Sequence, residues 1–151
     1  MRKFLAIAAI MTATAAQAAG ELPAGLTFGN IDGGTIALDE LRGHPILVVN
    51  TASMCGFAGQ FTALQALYDT YRDDGLGVLA VPSADGEVKA YCEMVYGIDL
   101  PMTTITGIRG ADAHPFYRWL QAEHGITPAW NFNKVLIGAD GAVLDAWGVL
   151  P

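Results

Sequence analysis

The sequence predicts one α/β domain in which a mixed β-sheet is flanked by helices. Two segments with largely apolar cores, at 45–52 and 76–81, are typical of strands that are buried on both faces. A strong hairpin signal, Ala139-Asp140-Gly141, joins two further strand patterns near the end of the chain. Helical periodicity occupies three intervening stretches, 59–73, 87–96 and 112–124. A chain of 151 residues fits one hydrophobic core.

The first third of the chain is predicted to be mainly extended. Residues 19–36 form an extended entry, and the glycine-containing segment 30–34 predicts a hairpin turn. A short turn, at most one helical turn, covers 38–43. Ile46-Leu47-Val48-Val49 then forms the core of the first buried strand.

The helices are assigned from the residues that recur at helical spacing. The first has an apolar stripe made of Phe61, Leu64, Leu67, Tyr68 and Tyr71. In the second the stripe is Val88, Tyr91, Cys92 and Val95, and Gly97 stops the helix. The third turns Phe116, Trp119 and Leu120 inward.

The order of elements favours a particular arrangement of the sheet. Strand, helix, strand, helix and a final hairpin (134–137 and 142–147) fit parallel inner strands with a terminal antiparallel pair. That is the thioredoxin-like arrangement.

The amino terminus predicts export. A basic start, an apolar run from Phe4 to Ala16 and the small-residue pattern Ala16-Gln17-Ala18 are typical of a signal peptide over residues 1–18. The alternative, an uncleaved membrane anchor, is disfavoured because the run is short for a span of ~20 residues. We therefore expect residues 19–151 to form the mature domain, exported to the periplasm or secreted, without membrane attachment.

The net negative charge of the chain limits the kinds of molecule that it is expected to bind. The whole chain carries −7, and cleavage would remove two basic residues and no acid. A surface this acidic argues against nucleic acid as a partner. His44, His114 and His124 lack metal-ligand spacing and are interpreted as surface residues, and there is no phosphate-binding loop. We expect neither a metal nor an organic cofactor.

Two cysteines are the candidate redox groups. Cys55 follows the first buried strand and precedes a helix, a position where ligands bind and where backbone N–H groups favour a thiolate. Position alone leaves open that Cys55 is a small buried apolar residue. Because an exported chain with an even cysteine count can form a disulfide, a structural Cys55–Cys92 bridge is also open.

Trp130 and Asn131 precede the first hairpin strand. The indole N–H and the amide NH₂ can donate hydrogen bonds to a thiolate or to a peroxide oxygen. Taken alone, an aromatic residue before a strand more often belongs to the core.

Two motifs together resemble the glutathione peroxidase family. The segment 48–57, which contains Asn50-Thr51-Ala52-Ser53-Met54-Cys55-Gly56-Phe57, is similar to the motif around the family's peroxide-reducing residue. The segment 130–134, Trp-Asn-Phe-Asn-Lys, is similar to its second signature. The resemblance implies a thioredoxin-like fold and reduction of hydroperoxides. It places Cys55 in the peroxidatic position and Trp130 and Asn131 in the donor positions.

The resemblance also assigns Cys92. Its surroundings, 91–97, resemble the stretch that carries the resolving cysteine of thioredoxin-dependent members. This implies a cycle in which Cys92 forms a disulfide with oxidised Cys55 and an external thiol, a thioredoxin-like protein or glutathione, reduces it.

The chain departs from the family pattern in two places. The connection 82–87 is short and lacks the family's catalytic glutamine, and no segment for a C-terminal helix follows the last strand. These departures keep a second hypothesis open, a redox-sensing or binding protein with weakened catalysis.

Overall fold

A computed structural model of the chain describes residues 20–52, 58–83 and 96–148. Its strands are β1 (Thr27–Gly29), β2 (Thr35–Ala37), β3 (Ile46–Thr51), β4 (Gly77–Pro82), β5 (Lys134–Ile137) and β6 (Val143–Trp147). Its α-helices are α1 (Gln60–Tyr71) and α2 (Pro115–His124), and 3₁₀ turns cover Leu38–Leu41 and Arg72–Asp74. The predicted signal peptide and residues 87–95 of the predicted helix 87–96 lie outside the described residues.

The predicted mixed sheet is confirmed. Its strand order is β4-β3-β5-β6, with β3 parallel to β4 and antiparallel to β5, and with β5 antiparallel to β6. The predicted turn 30–34 joins β1 and β2 into a separate antiparallel hairpin.

Strand β3 is buried along its whole length because a helix layer covers each face of the sheet. Alternate side chains enter two different cores, as the period of two requires. Ile46 and Val48 pack on the α2 side, whereas Leu47 and Val49 pack on the α1 side. The continuous apolar run in the sequence is explained by this double burial.

Helix α2 begins three residues later than the predicted stretch 112–124. Pro115 takes the first helical turn, where its missing N–H costs nothing. The His114 side chain caps the helix by accepting a hydrogen bond from the Phe116 N–H at 3.2 Å. Phe116, Trp119 and Leu120 are buried, as predicted.

Two sequence predictions are corrected. Tyr71, predicted on the apolar stripe of α1, is 48% exposed, because its φ of −118° already departs from helical geometry at the start of the 3₁₀ turn. His114 and His124, both predicted to be surface residues, are half-buried: His114 stacks on Phe28 at 3.9 Å between ring centroids, and His124 meets Trp119 edge-on at 5.1 Å.

No helix within the described ranges is both long enough and apolar enough to cross a membrane.

Candidate active site

A cleft of about 420 Å³ lies where β3 and β4 end. Its described lining consists of Ser83, Gly107, Ile108, Arg109, Trp130 and Asn131. Ser83 joins the cleft to the end of β3, since its N–H donates to the carbonyl of Thr51, the last residue of that strand. Both predicted donors, Trp130 and Asn131, therefore lie in one cleft at the carboxyl edge of the sheet, where α/β proteins bind their ligands.

A second cavity, of about 220 Å³, lies on the α2 side of the sheet and is bordered by Asn50 and Tyr117. We place the candidate active site in the first cleft, because only that cleft contains the two predicted donors.

Asn50 holds the Trp130 segment against β3. Its side-chain Nδ2 donates to the Trp130 carbonyl at 2.9 Å, and its own carbonyl accepts the Phe132 N–H at 2.6 Å. Its N–H donates in turn to the Asn133 carbonyl at 3.2 Å. Asn133 also donates from Nδ2 to the Trp130 carbonyl, at 2.5 Å. The backbone of 130–133 is thus fixed to a residue that is only 1% exposed.

The buried side chain of Phe132 anchors the segment 130–133 to the core. Phe132 has a positive φ of 59°, which is uncommon for a residue with a bulky side chain. Its side chain is fully buried and meets the Phe61 ring edge-on at 5.1 Å between centroids. Core burial and the bond to Asn50 therefore hold a left-handed residue next to the candidate donors, a placement of strain that is common near functional sites.

The two donor side chains differ in exposure. Trp130 is 61% exposed, and Asn131 is half-buried. A large aromatic side chain this exposed has not been placed to fill a core, so the core interpretation of Trp130 fails. An indole N–H and an amide NH₂ in an open cleft can both donate to an oxygen or sulfur atom that enters it.

Lys134 ties the start of β5 to the start of α1. Its Nζ donates to the Gln60 side chain at 2.6 Å and to the Phe132 carbonyl at 2.7 Å. Partial burial, which disfavours the charged ammonium, lowers the pKa of Lys134. The Gln60 side chain is thus held by Lys134.

Cys55 and Cys92 lie outside the described residues, so their roles remain predictions. Sequence reasoning missed Asn50 as a positioning residue and Arg109 as part of the cleft. A signal for Asn50 was available, since it is a polar residue at the end of an otherwise apolar buried strand. Nothing in the sequence around Arg109 marked it.

The described ranges contain no group of three or more histidine, cysteine or acidic side chains placed to hold a metal ion.

The fold is similar to that of solved thioredoxin-like proteins. The crystal structure of a thiol:disulfide interchange protein of the thioredoxin family, from Chlorobium tepidum, superposes with a TM-score of 0.69 at 19% identity, over 87% of each chain. The crystal structure of Trgpx in apo form superposes with a TM-score of 0.67 at 30% identity, over 83% of this chain and 84% of that one. The fold is therefore thioredoxin-like, as predicted.

Sequence comparison then gives the family. The glutathione peroxidase family profile matches residues 25–121. A glutathione peroxidase of Lactococcus lactis is 36% identical over 128 residues, 76% of this chain and 82% of its own length. The hydroperoxy fatty acid reductase gpx1 of Synechocystis is 34% identical over 143 residues, 82% and 85% of the two chains. The chain belongs to the glutathione peroxidase family, and its relatives are peroxidase enzymes.

Proposed function

We propose that the protein is an exported thiol peroxidase in which Cys55 reduces hydrogen peroxide or organic hydroperoxides. The observation that carries the proposal is the anchoring of Trp130 and Asn131 by Asn50 at the carboxyl end of β3. Cys55 follows Asn50 by five residues and lies three residues from both Ala52 and Ala58, the described residues on either side of it.

The proposed chemistry begins with the Cys55 thiolate. Its sulfur attacks the terminal oxygen of ROOH, the O–O bond breaks, and the products are Cys55–SOH and the alkoxide RO⁻. A proton from solvent or the site converts the alkoxide into ROH. Trp130 Nε1–H and Asn131 Nδ2–H serve as donors to the thiolate and to the leaving oxygen, which stabilises negative charge as it moves from sulfur to oxygen.

Cys92 is proposed as the resolving cysteine. Its thiol displaces water from the Cys55 sulfenic acid and forms a disulfide, which an external thiol then reduces by two electrons. The reductant is a thioredoxin-like protein or glutathione. Reduction of organic hydroperoxides is supported by the similarity to the Synechocystis relative, which is named a hydroperoxy fatty acid reductase.

Mass spectrometry of the reduced protein tests the cycle. After one equivalent of peroxide we expect a loss of two hydrogens in the wild type, and a trapped Cys55 sulfenic acid in Cys92→Ser. Cys55→Ser should consume no peroxide above the uncatalysed rate. The proposal fails if Cys55→Ser and the wild type consume hydroperoxide equally fast.

The short connection after Pro82, without the family's glutamine, favours a second candidate, a redox sensor or binding protein with weak catalysis. Loss of one hydrogen-bond donor from a catalytic group costs ~3 kcal/mol by analogy with oxyanion holes, so slow turnover is compatible with the fold. Steady turnover with thioredoxin would exclude this candidate. A Cys55–Cys92 bridge that resists mild reductant, and whose loss lowers stability alone, would instead indicate a structural disulfide.

A further inference from the structure

Arg109 is the one charged side chain among the described residues that line the cleft. In the described part of the chain the ion pairs involve Arg42 and Arg72, and Arg109 takes part in none of them. A cation in this cleft contrasts with the net charge of −7 carried by the whole protein. Because the protein as a whole repels anions, a local cation is needed wherever an anionic ligand is to bind.

The loop that carries Arg109 is tightly closed. The His114 N–H donates to the Gly107 carbonyl at 2.8 Å, and the Ala113 N–H donates to the Gly110 carbonyl at 3.3 Å. Gly107 is required here, because a Cβ at this position would lie 2.5 Å from the backbone oxygen of Asp112. The backbone of Arg109 is therefore fixed by local bonds.

The Arg109 side chain is directed towards the Trp130 segment. Its Nη1 donates to the carbonyl of Ala129, the residue before Trp130, at 3.3 Å. This bond uses one of the five N–H donors of the guanidinium. The planar guanidinium has the geometry to bind a carboxylate with two parallel hydrogen bonds.

The rest of the lining is partly apolar. Ile108 borders the cleft but is a core residue that is only 8% exposed, so the apolar surface of the cleft is the large exposed ring of Trp130. A cleft of about 420 Å³ falls in the usual size range of small-molecule sites. A cation beside an apolar wall and two amide or indole donors suits an amphipathic anion that carries a polar reacting group.

We propose that Arg109 forms a subsite for the carboxylate of an amphipathic hydroperoxide, such as a hydroperoxy fatty acid, whose apolar chain lies against the exposed ring of Trp130. The inference rests on the proposed peroxidase function and adds a substrate class to it. Glutathione also carries carboxylates, so the experiment must separate the oxidising substrate from the reductant.

The kinetic test compares a hydroperoxy fatty acid with its methyl ester, using uncharged dithiothreitol as reductant. We expect Arg109→Gln to lower the ratio of kcat/KM for the acid to kcat/KM for the ester about fivefold, the upper range for a solvent-accessible charge pair. Arg109→Lys should restore part of the ratio because it keeps the charge. Arg72→Gln is the matched control, since it removes the same charge next to the amino-terminal end of β4, and should leave the ratio unchanged.

An unchanged ratio in Arg109→Gln overturns the proposal. So does a defect that appears only when glutathione replaces dithiothreitol, because the carboxylate recognised would then belong to the reductant.

A binding measurement separates this proposal from the proposed function. Linoleate, which has no peroxide group, should quench the fluorescence of Trp130 in Cys55→Ser protein, and its apparent Kd should rise about fivefold in Arg109→Gln. In Trp130→Phe the remaining tryptophans, Trp119 and Trp147, still fluoresce, so loss of the quenching in this variant shows that the change comes from Trp130. Arg109-dependent binding without any peroxide turnover would refute the peroxidase function and retain the subsite. Peroxide turnover without Arg109-dependent binding would refute the subsite and retain the peroxidase function.

Discussion

Replacement of Asn50 by alanine should damage the candidate site without unfolding the protein. The Asn50 side chain donates one hydrogen bond, to the Trp130 carbonyl, and its Oδ1 has no partner among the described residues. The Trp130 carbonyl keeps a second bond, from Asn133, after the substitution.

The expected loss of stability can be worked from these contacts. One lost hydrogen bond contributes about 1 kcal/mol. The small cavity left at a site that is 1% exposed adds about 1 kcal/mol. Removal of the unpartnered oxygen offsets part of this sum, so the free energy of unfolding should fall by about 1–2 kcal/mol. The loosened Trp130 segment should slow oxidation of the reduced protein by hydroperoxide about tenfold, because misplacement of catalytic groups is costly.

Urea denaturation and stopped-flow oxidation of the reduced protein by excess peroxide measure the two effects. Asn133→Ala is the matched control, since it removes a bond to the same carbonyl from a less buried position and should slow oxidation less. Wild-type stability together with a wild-type oxidation rate in Asn50→Ala would refute the positioning role.

The isosteric variant Asn50→Asp tests the burial of this side chain through the direction in which stability changes with pH. Burial would raise the pKa of the new carboxyl above its unfolded value, so the folded state prefers the protonated acid. Its stability should match that of a neutral variant below about pH 4 and should fall as the pH rises from there towards the folded pKa. A variant that becomes more stable between pH 4 and pH 7 would contradict the burial of this side chain.

Three other side chains give further predictions. His114→Ala should cost about 1–2 kcal/mol through loss of the helix cap, and His114→Asn should recover only the part due to the cap, because it still lacks the ring that stacks on Phe28. Burial lowers the pKa of His114, so the unfolded state binds the proton first, and wild-type stability should fall as the pH drops below about 6.5, an effect absent from His114→Asn in urea titrations. Tyr117→Phe should be neutral or stabilising in thermal melts, because the buried hydroxyl has no partner in the described part; a loss above about 1 kcal/mol would reveal one. Lys134→Met should lower stability by about 1–2 kcal/mol through its lost bond to Gln60, and Gln60→Ala should add little to that loss in the double variant.

The fold was predictable because its signals are local. The apolar run of β3, the spacing in α1 and the turn at 139–141 each act within a few residues, and each predicted helix or strand that the structure describes appears within about three residues of its predicted bounds. The wrong prediction for Tyr71 also has a local cause. Tyr71 belongs to the apolar period of α1, but the sequence does not show that helical geometry ends at that residue.

The candidate site was only partly predictable because it depends on contacts that are distant along the chain. Trp130 and Asn131 were found from their motif, but their anchor, Asn50, is 80 residues away from Trp130. Arg109 reaches the same segment from a loop 20 residues before Ala129. No period or turn signal encodes such pairings, so these residues became visible only in the folded chain.

The position of the candidate site is set by the register in which β3 and β5 pair. Strand β5 pairs with β3 so that Val49 lies opposite Lys134, and the next hydrogen bond in the same direction joins Asn50 to Asn133. A slip of one residue in this pairing would move every β5 side chain to the opposite face of the sheet. It would also break the hydrogen bond between Asn50 and the Trp130 carbonyl. The register is strongly specified, because Val135 and Ile137 enter one buried core. The two cores that bury β3 and β5 therefore also determine where Trp130 meets the carboxyl edge of the sheet, so core packing and the geometry of the cleft are selected together.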